Sequence, residues 1–357
     1  MDHPSRDYAA DPAPAASQPP QPMQFHASGG EYFRIWIVNL LLTVVTLGIY
    51  SAWAKVRRNQ YFYSSTELAG SSFEYHGNPI AILKGRIVAA LLFGGYNVAL
   101  RYSPLVGGCV ALLLAAVLPW LSWKSMQFRL YNTSYRGVRF GFKGSAGQAY
   151  FYELLLPLLS LLTAGLLVPF THQRLKRYQH SESRYGTSHF AFDGRVGSFY
   201  KAYGKFVALY FGGLIVLGVG LTFALWSSLS GPVGTAKTTA FYVITAVIYL
   251  WVFLVMPLFL TLIQNLIWNH TSLAGHRFQS TLTWGRSTFI VVSNLLGIAV
   301  TLGLYMPFAH VRWLKYRLEA TALLPDGSLD DFVAGSEQQI GAVGEGMMDV
   351  LDFDLSL

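Results

Sequence analysis

Thr46–Tyr61 reads TLGIYSAWAKVRRNQY, Thr163–Tyr178 reads TAGLLVPFTHQRLKRY, and Thr301–Tyr316 reads TLGLYMPFAHVRWLKY. The three stretches align without a gap. In each, Gly follows Thr by two residues (Gly48, Gly165, Gly303), an aromatic closes the apolar part (Trp53, Phe170, Phe308), and a basic segment follows. Arg57, Arg174 and Arg312 share one column, and Tyr61, Tyr178 and Tyr316 another. Arg/Tyr pairs that coincide across ungapped columns mark an internal repeat, so the chain has to be read copy by copy.

Each copy sits at the end of an apolar run. Hydrophobic residues make up 53% of the chain and charged residues 12%, against about 25% charge in a soluble domain. Runs near the length that crosses about 30 Å of hydrocarbon occupy roughly residues 33–53, 82–100, 104–122, 150–170, 205–227, 240–264 and 288–308. The composition predicts a mainly α, polytopic helical membrane protein. The first thirty residues lack the apolar core of a secretory signal. Residues 1–24 are rich in Pro, Ala and Gln and read as a disordered tail. The single cysteine, Cys109, excludes a disulfide frame or thiolate metal site within one chain.

Net charge is +8, yet from Pro325 onward there are eight acids and no Lys or Arg. The body is therefore basic and the tail acidic. A basic body can signal nucleic acid, but here the cations occupy short loops between apolar runs, where positive-inside bias accounts for them. Nucleic acid is not expected as a partner.

A second motif alternates with the first. Thr66–Phe73, Thr133–Phe140 and Thr271–Phe278 align, with Ser183, Tyr185, Thr187 and Phe190 as a weaker fourth. Alternating aromatics bounded by glycine (Phe73, Tyr75, Gly77; Phe140, Phe142, Gly144; Phe190, Phe192, Gly194) predict short β-hairpins, packed together as one sheet on the cytoplasmic side. Residues 25–320 then form a membrane domain of five units, alternately carrying one apolar run and two. Residues 321–357 form an acidic tail, whose 343–357 segment has the spacing of a short amphipathic helix.

All strand-bearing connections are basic, whereas the connections near Arg101–Ser103 and 227–237 are nearly uncharged. Seven full spans would put the basic 171–204 loop on the wrong side. Alternatively, the single runs bend back near Gly48, Gly165 and Gly303, giving four full spans plus three re-entrant runs. The charge pattern is compatible with both layouts.

TLGIYSAWAKVRRNQYFY, GEYFRIWIVNLLL, FEYHG and the closing GAVGEGMMDVLDFDLSL resemble the DUF898 family over roughly residues 25–357. That resemblance implies a multi-pass bacterial inner-membrane protein with no established molecular function, and it brings no site residues with it. Leu167, where the outer copies carry Tyr50 and Tyr305, departs from the pattern.

Candidate residues follow from position. Arg57/Tyr61, Arg174/Tyr178 and Arg312/Tyr316 are spaced i, i+4 and share a helix face. Such faces suit anionic lipid or an anionic solute, although snorkelling Arg and interfacial Tyr are common in membrane proteins. Glu153, inside an apolar run, is a functional candidate by default, with an interfacial carboxylate as the plainer alternative. Asn39 and Asn294 match in position and suit interhelical hydrogen bonds. His172 and His310 align with Lys55, so that column calls for a basic group rather than a metal ligand. No Walker loop, Ser/His/Asp order or HExxH appears, and no catalytic residue, metal or cofactor is expected. The reading is a non-enzymatic scaffold or anionic-lipid-interacting protein, with a small-solute transporter or channel as the alternative. Expected partners are membrane lipids, with a homo-oligomer left open. The basic loops and C-terminus are expected in the cytoplasm.

Overall fold

The computed structural model describes residues 19–224, 226 and 235–327. The chain alternates short strands with helical hairpins: β1 (Gln21–Pro22), β2 (Gln24–Phe25), α1 (Gly29–Val45), α2 (Ser51–Ser64), β3 (Thr66–Leu68), β4 (Ser71–Tyr75), α3 (Pro79–Tyr102), α4 (Pro104–Tyr131), β5 (Thr133–Tyr135), β6 (Val138–Phe142). It continues through α5 (Ala146–Leu162), α6 (Val168–Ser181), β7 (Ser183–Tyr185), β8 (Ser188–Phe192), α7 (Val196–Ala224), α8 (Thr235–Trp268), β9 (Thr271–Leu273), β10 (His276–Ser280), α9 (Trp284–Val300), α10 (Met306–Glu319) and β11 (Thr321–Leu324). The protein is mainly helical.

The strands form a single eleven-stranded sheet in the order β1-β11-β10-β9-β8-β7-β6-β5-β4-β3-β2. β1 pairs with β11 and β2 with β3, yet only Met23 separates β1 from β2. One segment thus binds both edges and nearly closes the sheet into a barrel, which removes the exposed edges that invite aggregation. The sequence predicted hairpins gathered in one sheet, with a disordered tail through residue 24. The strand instead begins at Gln21, and Pro22 is tolerated because it belongs to a two-residue edge segment. Residues 1–18, and the 343–357 segment expected as a tail helix, lie outside the described residues, whereas Thr321–Leu324 is a sheet strand.

Tight turns join the strands in pairs. Ala69–Gly70, Arg136–Gly137 and Ala274–Gly275 all have positive φ at both positions, the geometry that matches strand twist in two-residue hairpins. Met23, Leu68, Tyr135, Tyr185, Leu273, Phe278 and Leu323 fill the barrel. Phe73, Phe140, Phe190 and Phe278 stack in series at 6.3–6.4 Å, worth about 0.5–1.5 kcal/mol per pair beyond burial. The Tyr135 and Tyr185 hydroxyls donate to the carbonyls of Leu68 and Tyr135. The barrel is a packed core.

Apart from β1–β11, each antiparallel strand pair that lacks a tight turn is joined by a helical hairpin, so all five hairpins rise from the barrel end opposite the turns. Hairpins α3–α4 and α7–α8 contain four helices long and apolar enough to cross a membrane: Pro79–Tyr102, Pro104–Tyr131, Val196–Phe223 and Phe241–Trp268. Asn78-Pro79 and Ser103-Pro104 start α3 and α4, with side-chain caps on the amides of Ile80 and Leu105.

The other three hairpins are shorter. Their first helices each have 17 residues and their second helices 14, about 25 Å and 21 Å at 1.5 Å per residue. The chain reverses at Thr46–Tyr50, Thr163–Leu167 and Thr301–Tyr305. In the first turn, Gly48 N–H donates to the Thr43 carbonyl at 2.7 Å, the six-to-one bond of a Schellman motif. Thr46 Oγ1 donates to the Leu42 carbonyl and accepts from Tyr50 N–H. Thr301 Oγ1 does the same between the Gly297 carbonyl and Tyr305 N–H, and Thr163 Oγ1 accepts from Leu167 N–H. The Thr-x-Gly signature is therefore the turn itself: Thr is its clasp, and Gly48, Gly165 and Gly303 supply φ of 92°, 85° and 97°, costly for any residue with a Cβ.

Candidate functional site

The Arg/Tyr column does not converge on one place. Tyr61 Oη accepts from Ser28 N–H at 3.0 Å, Tyr178 Oη donates to the Ser145 carbonyl at 3.3 Å, and Tyr316 Oη accepts from Thr283 N–H at 2.9 Å. Ser28, Ser145 and Thr283 are the N-caps of α1, α5 and α9, so each tyrosine pins the foot of its own hairpin. The arginines differ from one another. Arg57 is exposed; Arg174 lies 5.0 Å over the Phe170 ring; Arg312 donates to Ser293 Oγ at 2.8 Å and to Asn294 Oδ1 at 3.3 Å.

The polar candidates also separate. Asn294 is buried, bridging Arg312 and the Ala309 carbonyl. Asn39 is buried as well, and its Oδ1 has no hydrogen-bond partner among the described residues. Glu153 lies beside Ser122 and Tyr178, in a π turn over Phe151–Leu155. That turn forms because Pro157 has no N–H for the Glu153 carbonyl.

What does converge is the space between the hairpins. A cavity of about 820 Å³ is bounded by α1, α2, α3, α8, α9 and α10, and its ionisable lining is Tyr32, Lys55, Arg58, Arg86 and His310. Asn39 and Asn294 also face it. A second cavity of about 420 Å³ among α6, α8 and α10 carries His172, Lys176, His180 and Arg317. Leu260 and Trp313 line both, so the two adjoin. Among the described residues no Asp or Glu lines either one, and Glu153 is in neither lining.

Burial pushes the Lys176 ammonium down to about 8, assisted by the charges of Arg129 and Arg317. Burial and Lys176 together hold His172 near 4 and His180 near 3, so both imidazoles are neutral at pH 7. His180 Nδ1 lies 3.3 Å from Thr271 Oγ1, whose own proton goes to the Ile267 carbonyl at 2.8 Å. This network assigns the imidazole proton to Nδ1. Nε2 is then a lone-pair acceptor, buried and without a partner among the described residues. Taken together, the described lining of the chamber carries cations, neutral imidazoles and one buried acceptor.

Sequence reasoning had singled out the Arg/Tyr pairs. It treated the column Lys55, His172 and His310 as merely basic, yet all three of its residues face the chamber. Lys176 and Arg317 have no basic counterpart in the other copies, so the aligned copies carried no signal for them.

A family profile described as "Bacterial protein of unknown function (DUF898)" matches residues 20–350. "Inner membrane protein YjgN" of Salmonella typhimurium (strain LT2) is 35% identical over 148 residues, covering 40% of this chain and 37% of that protein. The protein of the same name from Escherichia coli (strain K12) is 35% identical over 147 residues, 40% of this chain and 36% of that protein. The chain thus spans little more than a third of the length of these curated relatives. No solved structure matches it. Because the profile runs from β1 past β11 and takes in all five hairpins, the chain belongs to the DUF898 family of bacterial proteins of unknown function.

Proposed function

We propose that this chain is a non-enzymatic, multi-pass protein of the bacterial inner membrane that engages anionic lipid and acts as a scaffold. In this reading α3, α4, α7 and α8 cross the bilayer, while the three short hairpins enter and leave by the same face, and the barrel lies in the cytoplasm. The observation that carries it is the turn of each short hairpin. Leu47 and Leu302 are each 94% exposed, in a turn where every amide from 46 to 51, and from 301 to 306, finds an acceptor inside the hairpin. A turn that satisfies its own backbone while offering leucine outward is suited to hydrocarbon. The shared turn and shared helix lengths support descent of the units from one repeated ancestor. The relatives' printed name supports the location, and the basic strand-bearing loops support the orientation.

The test places a fluorophore on a cysteine at position 47 or 302, in a Cys109→Ala background. Quenching by a lipid-borne quencher is expected. Quenching by aqueous iodide would reject insertion of the hairpins. Replacing Arg57, Arg174 and Arg312 together by Gln should lower co-purified anionic phospholipid; unchanged lipid would remove the anionic preference of that face.

The cavity of about 820 Å³ between membrane hairpins favours a second reading, a transporter of a small solute. The filled barrel beneath it weighs against an open channel. Uptake of an anion into proteoliposomes that depends on this chain would reverse the order.

A further inference from the structure

We propose that the larger inner cavity is a binding site for a single-chain amphiphile with an uncharged hydroxyl head, whose O–H donates to Asn39 Oδ1 while its alkyl chain runs along the apolar wall toward the hairpin turns.

Three observations carry this inference. First, Asn39 is the exception in its own column. Asn294, its counterpart in the last copy, has both ends of its amide engaged within the hairpin: Nδ2 donates to the Ala309 carbonyl at 3.1 Å and Oδ1 accepts from Arg312 at 3.3 Å. Asn39 is buried to the same degree, at 6% exposure against 7%, yet its Oδ1 has no hydrogen-bond partner among the described residues. A buried acceptor without a donor is costly, and a hydroxyl offsets that cost without bringing a charge.

Second, the sequence explains why the protein's own arginine does not serve Asn39. Arg312 lies 5.3 Å over the Phe289 ring and donates to Ser293 Oγ at 2.8 Å. The same two columns in the first copy hold Arg34 and Val38. A like charge and a hydrocarbon replace a ring face and an acceptor, so neither holds the Arg57 guanidinium over Asn39, and Arg57 stands exposed.

Third, the wall changes character at the level of Asn39. That residue is ten positions into α1, about 15 Å from the helix start at 1.5 Å per residue. Nearer the barrel the cavity is faced by Tyr32, Arg58 and Trp313, and nearer the hairpin turns by Phe253, Ile298 and Met306. A ligand whose polar group meets Asn39 therefore has apolar wall on the turn side, where a chain is buried against it. A hydroxyl both donates and accepts, so it suits the Asn39 amide in either orientation of its two end atoms.

The site needs no anionic group and no transport step, so it stands or falls separately from the lipid-scaffold and transporter readings.

The test uses the full chain in phosphatidylcholine nanodiscs, which avoids detergent, itself an amphiphile. The probe is octanol carrying a photoreactive diazirine beside its hydroxyl, with adducts located by peptide mass spectrometry. The proposal expects saturable adducts at the Asn39 level of the cavity, on Thr43 or Leu295. Excess decanol should suppress them, and decane at the same bilayer mole fraction should not. Asn39→Leu, which is close in size, should lower cavity labelling by at least about fivefold, the loss of one buried hydrogen bond. Adducts on the exposed residues Leu91 and Val219 should stay unchanged. Without ligand the same variant should melt no lower than wild type, a combination that an asparagine needed only for packing would not give. Ile298→Trp, which fills the apolar half of the cavity, should suppress the same adducts and supplies the decision if Asn39→Leu does not fold. Adducts confined to residues outside the cavity, equal suppression by decane and decanol, or wild-type labelling in Asn39→Leu overturns the proposal.

Discussion

Tyr61 reaches back thirty-three residues to the foot of its own hairpin, where its hydroxyl accepts from Ser28 N–H and donates to Glu31 Oε2 at 2.9 Å. The same interval separates Tyr178 from Ser145 and Tyr316 from Thr283. These tyrosines fasten the second helix of each hairpin to the N-cap of the first. Tyr61→Phe and Tyr316→Phe each leave an N-cap amide without its acceptor and should cost about 1 kcal/mol, read as a lower melting temperature in detergent. Arg57→Gln, at an exposed position, should leave stability unchanged. Arg312→Gln should lower it by about 1–2 kcal/mol, because Asn294 and Ser293 lose a charged donor. Equal effects at Arg57 and Arg312 would contradict this division.

The hairpin turns make opposite demands on neighbouring residues. Gly303 has φ of 97°, so Gly303→Ala should destabilise the protein by about 1–3 kcal/mol. Leu302 also has positive φ, at 50°, and Leu302→Gly relieves that strain; in detergent it should be neutral or slightly stabilising, although it removes apolar surface from the tip. A melting series with Gly48→Ala and Leu47→Gly should reproduce the pair. If Leu302→Gly were the more damaging change, the leucine would be held by contacts the turn does not reveal.

The parts legible in the sequence are the ones each copy needs for itself. Thr46, Gly48 and Tyr61 recur because a hairpin that reverses within five residues needs its clasp, its positive φ and its pinned foot every time. The glycines after the aromatic strands recur because a Cβ on Gly77, Gly144 or Gly194 would collide with the ring of Tyr75, Phe142 or Phe192. A chamber at the centre of a ring of hairpins is built once, from different residues on each wall, so Lys176, Arg317 and His180 leave no periodic trace. Barrel closure was illegible for another reason: residues 21–25 make only two pairs with each edge, in a Pro- and Gln-rich stretch with no alternation to read.

Sidedness follows from the hairpin arrangement. The tight turns at residues 70, 137, 187 and 275 share one end of the molecule, while Tyr102, 89% exposed, tops α3 at the other. In a Cys109→Ala background, single cysteines at 70, 137, 187 and 275 should react with a membrane-impermeant maleimide only after the inner membrane is opened, and cysteine at 102 should react before. Labelling at 187 in intact spheroplast-free cells with a permeabilised outer membrane would restore the seven-span layout.

The pH dependence of stability should have two limbs, both set by α6. His172 and His180 have folded-state values near 4 and 3, below the ordinary 6.5. Between those limits the unfolded chain binds more protons than the folded one, so stability rises with pH there and is lost as pH falls from 6.5 toward 4. Lys176, held near 8 against an ordinary 10.5, gives the second limb. From pH 8 to 10.5 the folded lysine has lost its proton and the unfolded one has not, so stability again rises with pH. The delipidated protein should therefore melt higher at pH 9.5 than at pH 7, and lower at pH 5. Lys176→Met should flatten the alkaline limb, because the residue that titrates there is gone. It should also ease the acid limb, since Lys176 is one of the two causes that depress His172 and His180. Denaturation monitored by tryptophan fluorescence across pH 4.5–10 checks both limbs, and an alkaline limb that survives in Lys176→Met would assign the buried titration to another group.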